Sequence, residues 1–359
     1  MSEIVLDGLS FCYPGAVENT LDNLDLQINA GEAHALLGGS GAGKSTLLNL
    51  LSGLLRVQSG RMLFDGLDVG QVAPHERRVS QVFQFPVLYE ALTVEENLAF
   101  PLRNLRDSVS GKRGRVDELA RRLKIDHLLG RGSKNLSLFE KQLVAIGKSL
   151  VRPDVALVLL DEPLTAAEPV HKWELRQTLK SLQREMGATM VYVTHDQTEA
   201  LTFADRISVL HDGKILQTGS PQSLVELPEH EHVGYFVGTP GMNLLDAEIS
   251  AGFYRLSGSQ IAQTDSAAGP CRVGFRPEYC ELSNVRPADK AAIAVEILGK
   301  RTLGTLRQEQ VGLALARLGT SEITSRQTLS SLDEGLGWLT VDPARVMGFR
   351  DGWRIGERA

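Results

Sequence analysis

Residues 33–46 read AHALLGGSGAGKST, and this stretch limits the choice of fold more than any other. A short apolar run ends in a glycine-rich turn, and a helical apolar pattern, LLNLLSGLL, follows. Gly38, Gly43, Lys44 and Ser45 fall on the spacing G-x-x-x-x-G-K-[ST]. Small residues let the backbone wrap close and aim N–H groups at phosphate oxygens, and the helix that follows adds its positive end. Gly38, Gly39, Ser40, Gly41, Ala42, Gly43, Lys44, Ser45 and Thr46 are therefore candidate phosphate-cradle residues. Lys44 would reach the terminal phosphates and Ser45 would ligate Mg2+.

The second half of such a site needs an acid at the carboxyl edge of a buried parallel strand, where sheets of this kind bind ligands. LVLLDEP at 157–163 supplies it. Asp161 is the candidate holder of Mg2+, directly or through water, and Glu162 the candidate that polarises an attacking water. His195 closes VYVTHD at another strand end. Alone it reads as a surface or structural histidine; beside the other residues it becomes a candidate sensor of the terminal phosphate.

The strand candidates 33–38, 156–162 and 189–195 alternate with helical patterns through residue 236, which predicts a layered α/β domain with a parallel sheet. HDGKILQTGSP at 211–221 reads as a hairpin with an Asp-Gly turn. Beyond 240 the segments shorten and glycine and proline punctuate them, so a second, mostly β domain is expected, with the boundary near 236–242. A net charge of −6 argues against electrostatic binding to nucleic acid. The three cysteines, Cys12, Cys271 and Cys280, are widely spaced and suggest a reduced setting. The first residues carry acids and no basic-then-apolar signal, and no apolar run of about 18 residues or more exists to cross a bilayer. Work at a membrane would need another chain to cross it.

In order, an aromatic near residue 13, the cradle, Gln84 in VFQFPVLYEALTVEENLAF, LSLFEKQLVAIGKSLVRP, LLDEP and THD resemble the ATP-binding-cassette (ABC) ATPases over residues 1–236. That resemblance implies an α/β P-loop NTPase core, with a helical subdomain at about 85–150. It implies ATP and Mg2+ as ligands, with Tyr13 stacking on adenine, Gln84 touching Mg2+ and sensing the membrane subunit, and Ser137 meeting the γ-phosphate of a facing ATPase. The alternative for Tyr13 is a core tyrosine. The chain as a whole is similar to the ATPase subunits of carbohydrate and polyol importers of the maltose type. Those carry a C-terminal OB-like regulatory domain, expected here at 240–359. The wording of 82–104 and of EPLTAAEPVHKWELR is nearest the paired ATPases of glycerol-type importers. The partners so implied are two transmembrane permease subunits, a second ATPase and, indirectly, a solute-binding protein; the implied place is the cytoplasmic face of the inner membrane. A soluble cassette ATPase of repair or translation is a rival, but those fuse two cassettes or insert long coiled coils. A subunit that binds ATP without hydrolysing it is another.

One segment departs from the family. The pattern Leu-Ser-Gly-Gly-Gln is replaced at 136–140 by Leu-Ser-Leu-Phe-Glu. A Cβ where the family has glycine crowds a phosphate, and Glu140 would repel an anionic ligand unless its side chain turns away. Glu168 stands where the loop that crosses the dimer usually has aspartate. The cradle half thus looks intact and the half offered to a partner altered, so pairing with a different ATPase that has a better signature is expected over a homodimer. Three weaker signals remain. The basic run 111–124 reads as a solvated helix face, HEH at 230–232 as a surface loop, and the apolar residues of 88–100 as either core or a groove for a permease helix.

Overall fold

A computed structural model describes residues 2–103, 109–165, 168–288, 291–306, 309–329 and 332–356. The chain divides into two compact units, Met1–Pro221 and Gln222–Ala359.

The first unit carries, in chain order, β1 (Ile4–Phe11), β2 (Leu21–Ile28), β3 (Ala33–Leu37), α1 (Lys44–Ser52), β4 (Ser59–Phe64), β5 (Leu67–Asp68) and β6 (Val79–Val82). Next come α2 (Val94–Ala99), α3 (Val109–Arg122) and α4 (Leu138–Leu150). They are followed by β7 (Leu157–Asp161), α5 (Pro169–Met186), β8 (Met190–Thr194), α6 (Gln197–Phe203), β9 (Arg206–His211) and β10 (Lys214–Gly219). One sheet has the order β10-β9-β3-β8-β7-β6 and is parallel except for β10 at its edge. β3 and β8 are buried along their whole length, as expected of parallel strands covered on both faces. A second sheet, β2-β1-β4-β5, is antiparallel, and along β2 buried and open residues largely alternate. Leu36, Leu157, Leu159, Val191 and Val193 share one core with Ile4, Leu24 and Met62 of that second sheet. The β9–β10 hairpin turns at Asp212-Gly213, both at positive φ, the turn read from the sequence.

Among its described residues, the second unit contains most of α7 (Pro221–Glu226), then α8 (Glu231–Phe236) and eleven strands. These are β11 (Asn243–Ser250), β12 (Phe253–Leu256), β13 (Ser259–Gln263), β14 (Gly269–Phe275), β15 (Cys280–Ser283), β16 (Ile293–Leu306), β17 (Glu309–Leu318), β18 (Ser321–Thr328), β19 (Gly335–Val341), β20 (Met347–Arg350) and β21 (Trp353–Ile355). They form two sheets, β13-β12-β11-β14-β20-β21 and β15-β19-β16-β17-β18, with every described pairing antiparallel. Val273, Phe275, Val295, Ala314, Ile323 and Leu339 share their core. This is an all-antiparallel β domain of the kind expected for an OB-like extension.

The unit begins at Gln222, ahead of the expected boundary at 236–242. Arg276, just after β14, accounts for the difference. Its buried guanidinium donates to the carbonyls of Val225 (2.8 and 3.1 Å), Gly234 (2.8 Å) and Val237 (2.5 Å), which ties residues 225–237 to the β domain. The HEH segment is a helix start, not a loop. His230 caps α8 by accepting from the His232 N–H at 3.0 Å, and Glu231 pairs with Arg272 at 3.0 Å.

Candidate functional site

The cradle lies between β3 and α1. Gly43 is the N-cap of α1 at φ +102° and offers no side-chain cap, so the first amides of that helix depend on something other than a side chain. A Cβ at Gly43 would come within 2.6 Å of Leu21 Cδ2, and one at Gly38 within 2.3 Å of the Leu210 carbonyl oxygen. Both glycines are dictated by the chain's own packing. The buried Lys44 folds back over the loop and donates from Nζ to Gly38 O (2.8 Å) and Gly39 O (2.7 Å). Burial lowers its pKa, while the charges of Glu162 and Asp161 oppose that shift. The next residue, Ser45, is exposed. Tyr13 is partly exposed, packs edge-on against Phe11 and has its hydroxyl 3.2 Å from Thr46 Oγ1. It thus lies at the foot of the cradle rather than in the core.

Asp161 ends β7. Burial pushes its carboxyl above the usual range, Glu162 adds to the push, and Lys44 resists it. Glu162 follows at a positive φ of 42°, with its N–H bonded to Val193 O at 2.9 Å. A non-glycine residue in that region is uncommon and turns the side chain out of the strand direction. The carboxylate is then held from both sides. Oε1 lies 2.9 Å from His195 Nδ1, and Oε2 accepts from Gln84 Nε2 (3.4 Å) and Thr165 Oγ1 (3.3 Å). Four chain segments far apart in sequence, at 38–46, 84, 161–165 and 195, therefore converge.

Two residues of this cluster were not expected. Thr165 lies one turn after Glu162, and its N–H bonds to the Glu162 carbonyl at 3.2 Å. That turn brings its hydroxyl to the carboxylate, so the i, i+3 spacing was the available signal. Glu199 is buried on α6 and accepts from Tyr192 OH and Thr194 Oγ1, both at 3.0 Å, with Lys172 Nζ at 3.2 Å. It fixes the end of β8, the point from which His195 projects. Its charge was visible in sequence, but its burial was not.

Ser137 lies elsewhere in the chain, as the N-cap of α4. Its Oγ accepts from the Glu140 N–H (3.2 Å) and its own N–H donates to Glu140 Oε2 (2.7 Å), a reciprocal capping box. The feared repulsion from Glu140 is thus met by the side chain turning back onto the helix. The Ser137 N–H holds its carboxyl below the usual range, burial opposes this, and Arg131, at 3.3 Å, and His127 favour the charged form. Glu168 is the N-cap of α5 without a side-chain cap bond. Ala166 and Ala167 of the crossing-loop segment lie outside the described residues. The basic run lies on α3, where Arg122 pairs with Glu118 and Glu185 and the following Lys124 with Glu174. In the segment near Leu88–Phe100, Val94, Leu98 and Asn97 are buried, whereas Phe85, Val87 and Tyr89 are exposed. The Asn97 side chain pins that exposed stretch through both the N–H (2.9 Å) and the carbonyl (3.1 Å) of Tyr89.

A family model described as "ABC transporter" matches residues 21–165. The sn-glycerol-3-phosphate import ATP-binding protein UgpC of Psychromonas ingrahamii is 37% identical over 290 residues, covering 80% of this chain and 77% of its own. UgpC of Brucella abortus (strain 2308) is 42% identical over 251 residues, covering 70% and 71%. Among solved structures, cbiO1 from Clostridium perfringens, part of an ABC transporter complex, matches with a TM-score of 0.57 at 30% identity, covering 62% of this chain and 89% of that one. An ATP-binding cassette solved as a dimer in a post-hydrolysis state with ADP and Pi matches with a TM-score of 0.54 at 30% identity, covering 61% and 98%. The expected second, different ATPase finds no support in these comparisons. The chain belongs to the ABC transporter family as an ATP-binding subunit, an ATPase coupled to transport.

Proposed function

We propose that this chain energises import of sn-glycerol-3-phosphate or a closely related polyol, docked on two permease subunits at the cytoplasmic face of the inner membrane. The observation that carries the catalytic part is the convergence of His195, Gln84 and Thr165 on Glu162 beside Lys44. The solute rests on the relatives' names. Among the described residues no helix is long and apolar enough to cross a membrane, so the crossing falls to other chains. The exposed Phe83, Phe85, Val87 and Tyr89 next to Gln84 form the docking surface for a permease helix. The second unit, 222–359, is the regulatory domain.

In this reading ATP lies with its phosphates in the loop 38–46 and its adenine against Tyr13. Lys44 exchanges its two carbonyl partners for phosphate oxygens. Glu162 takes a proton from the attacking water, His195 and Thr165 hold the carboxylate in line, and His195 also meets the γ-phosphate. Gln84 couples this cluster to the docking surface. Ser45, Asp161 and the Gln84 amide oxygen would hold Mg2+. One carboxylate with neutral oxygens fits a hard cation that keeps waters and substrate phosphates as ligands, and the described residues hold no cluster of three or more His, Cys, Asp or Glu that would favour another metal. When bound, the ion neutralises charge that develops on the phosphates.

Two cassettes close over the nucleotide, each offering Ser137 to the ATP held by the other. The partner is a second copy of this chain, in line with the related ATP-binding cassette solved as a dimer. Calorimetry of the full-length chain with ATP and Mg2+ tests the reading, with micromolar binding and measurable hydrolysis as the expected result. Absence of both from folded protein would overturn it. Uptake of labelled sn-glycerol-3-phosphate by cells with and without the chain tests the solute, and equal uptake would refute that assignment alone.

A further inference from the structure

The altered segment Leu136–Glu140 raises the question of where its side chains go. Phe139 does not stand out from the helix start. Its ring stacks on His171 of α5, with centroids 5.0 Å apart and planes 24° from parallel. The two rings line a cavity of about 240 Å³ between α4 and α5, whose walls include Leu123, Ile125, Leu128, Leu143 and Leu175. Phe139 therefore has an apolar place within its own chain. Glu140 is folded into the capping box and paired with Arg131, which also donates to the Asn135 carbonyl at 3.1 Å. The box uses the amides of Ser137 and Glu140, and the first i→i−4 bond of α4 is made by Lys141 to Ser137 O at 2.9 Å. The amides of Leu138 and Phe139 come before that bond, in the orphan positions that an anion at a helix start occupies.

We propose that His171 and Arg131 are positioning residues for ATP hydrolysis: they hold Phe139 and Glu140 against this chain, so that the start of α4 stays open to the nucleotide of the facing cassette. The segment LSLFE is then a working signature whose glycines have been replaced with compensation. Two of its three departures are anchored; the third, Leu138, is 49% exposed and has no such tether. The inference rests on the cassette pairing proposed above. Releasing Phe139 lets its ring enter the space of the incoming phosphate, and releasing Glu140 leaves a carboxylate there without its counter-charge.

A double-mutant cycle on the full-length chain tests this, with KM and kcat for ATP measured separately and folding checked by thermal melting. In the wild-type background His171→Ala is expected to raise KM about twofold to twelvefold, the range given by losing one aromatic pair. His171→Phe, which keeps a ring, should restore it. In a Phe139→Gly background, His171→Ala should change KM less than twofold, because there is no ring left to hold. Arg131→Gln should likewise raise KM, with Glu140→Gln as its rescue; this second cycle decides the matter if His171→Ala does not fold. An equal His171→Ala effect with and without Phe139 would mean a merely structural role and overturn the proposal, as would wild-type KM in His171→Ala. Failure of the wild-type chain itself to bind and hydrolyse ATP would refute the underlying reading instead. A further readout is ATP-dependent dimerisation in a Glu162→Gln background, followed by sedimentation, which His171→Ala should weaken and His171→Phe should not.

Discussion

Glu162→Gln separates chemistry from architecture at this site. The carboxylate makes three contacts: His195 Nδ1 at 2.9 Å, Gln84 Nε2 at 3.4 Å and Thr165 Oγ1 at 3.3 Å. A glutamine of the same shape keeps an acceptor toward His195. Its new NH2 then faces the Gln84 NH2, so one weak bond is lost, while the Thr165 hydroxyl can rotate and accept. Because the side chain is partly open to water, that exchange costs about 1 kcal/mol or less, or roughly 2–4 °C in melting temperature for a unit of this size. Removing a general base costs much more, about 10²- to 10⁴-fold in kcat, or ~2.7–5.5 kcal/mol. ATP binding should survive and tighten, because one negative charge beside an anionic ligand is gone. A saturating nucleotide at 100 times its Kd should therefore still stabilise the variant by about 2.7 kcal/mol or more in a melting assay. Steady-state turnover and nucleotide-dependent melting of the same preparation suffice as the assay. If kcat stayed within threefold of wild type, Glu162 would not be the base and its three partners would be scaffolding.

Gly43→Ala should lower the melting temperature and abolish the ATP-dependent shift. It places an L-residue at φ +102° with its Cβ 2.6 Å from Leu21 Cδ2, at a combined cost of about 2–5 kcal/mol; unchanged melting would refute that geometry. Leu138→Gly should raise kcat/KM for ATP severalfold and Phe139→Gly should leave it near wild type, because only the first side chain lacks a tether; steady-state kinetics of both variants distinguish them. A thiol reagent at neutral pH should label Cys12 first, since Cys271 and Cys280 are buried and burial pushes the Cys280 thiol up to about 12. ATP should slow that labelling, because Cys12 adjoins Tyr13; peptide mapping with and without nucleotide checks both points. Arg276→Ala should destabilise the second unit by about 3–5 kcal/mol, leaving buried carbonyls of residues 225–237 without their donor, while ATP binding by the first unit is retained.

The parts of this molecule legible in the sequence are those whose physics is local. A loop that must cradle phosphate spells out its glycines, its lysine and its flanking strand and helix within fifteen or so residues, and a strand buried on both faces shows as an unbroken apolar run. The Asp-Gly hairpin is local in the same way. What could not be read depends on partners that meet only after folding. Arg276 looked like any charged residue between two β segments, yet its contacts with three carbonyls place the start of the second unit before α8. Thr165 and Glu199 acquire their roles from where Gln84, Tyr192 and Lys172 end up.

Glu140 belongs to neither class. Ser-x-x-Glu ahead of an apolar run is itself a capping-box pattern, readable from four residues. Compared with the family glycines and glutamine it looked like damage; as a helix start it is sound. At this position glutamate and glutamine can both accept from the Ser137 N–H, so the cap does not distinguish them, and only the added charge does. That charge is met by Arg131, nine residues upstream, on the turn that leads into the Ser133–Asn135 segment and the cap. A departure from a pattern is therefore informative only when the physical job of each position is known. Here the cap's job is kept by Glu140, the job of leaving space is transferred from a missing glycine to the Phe139–His171 stack, and Leu138 is left as the one position where the job and the residue disagree.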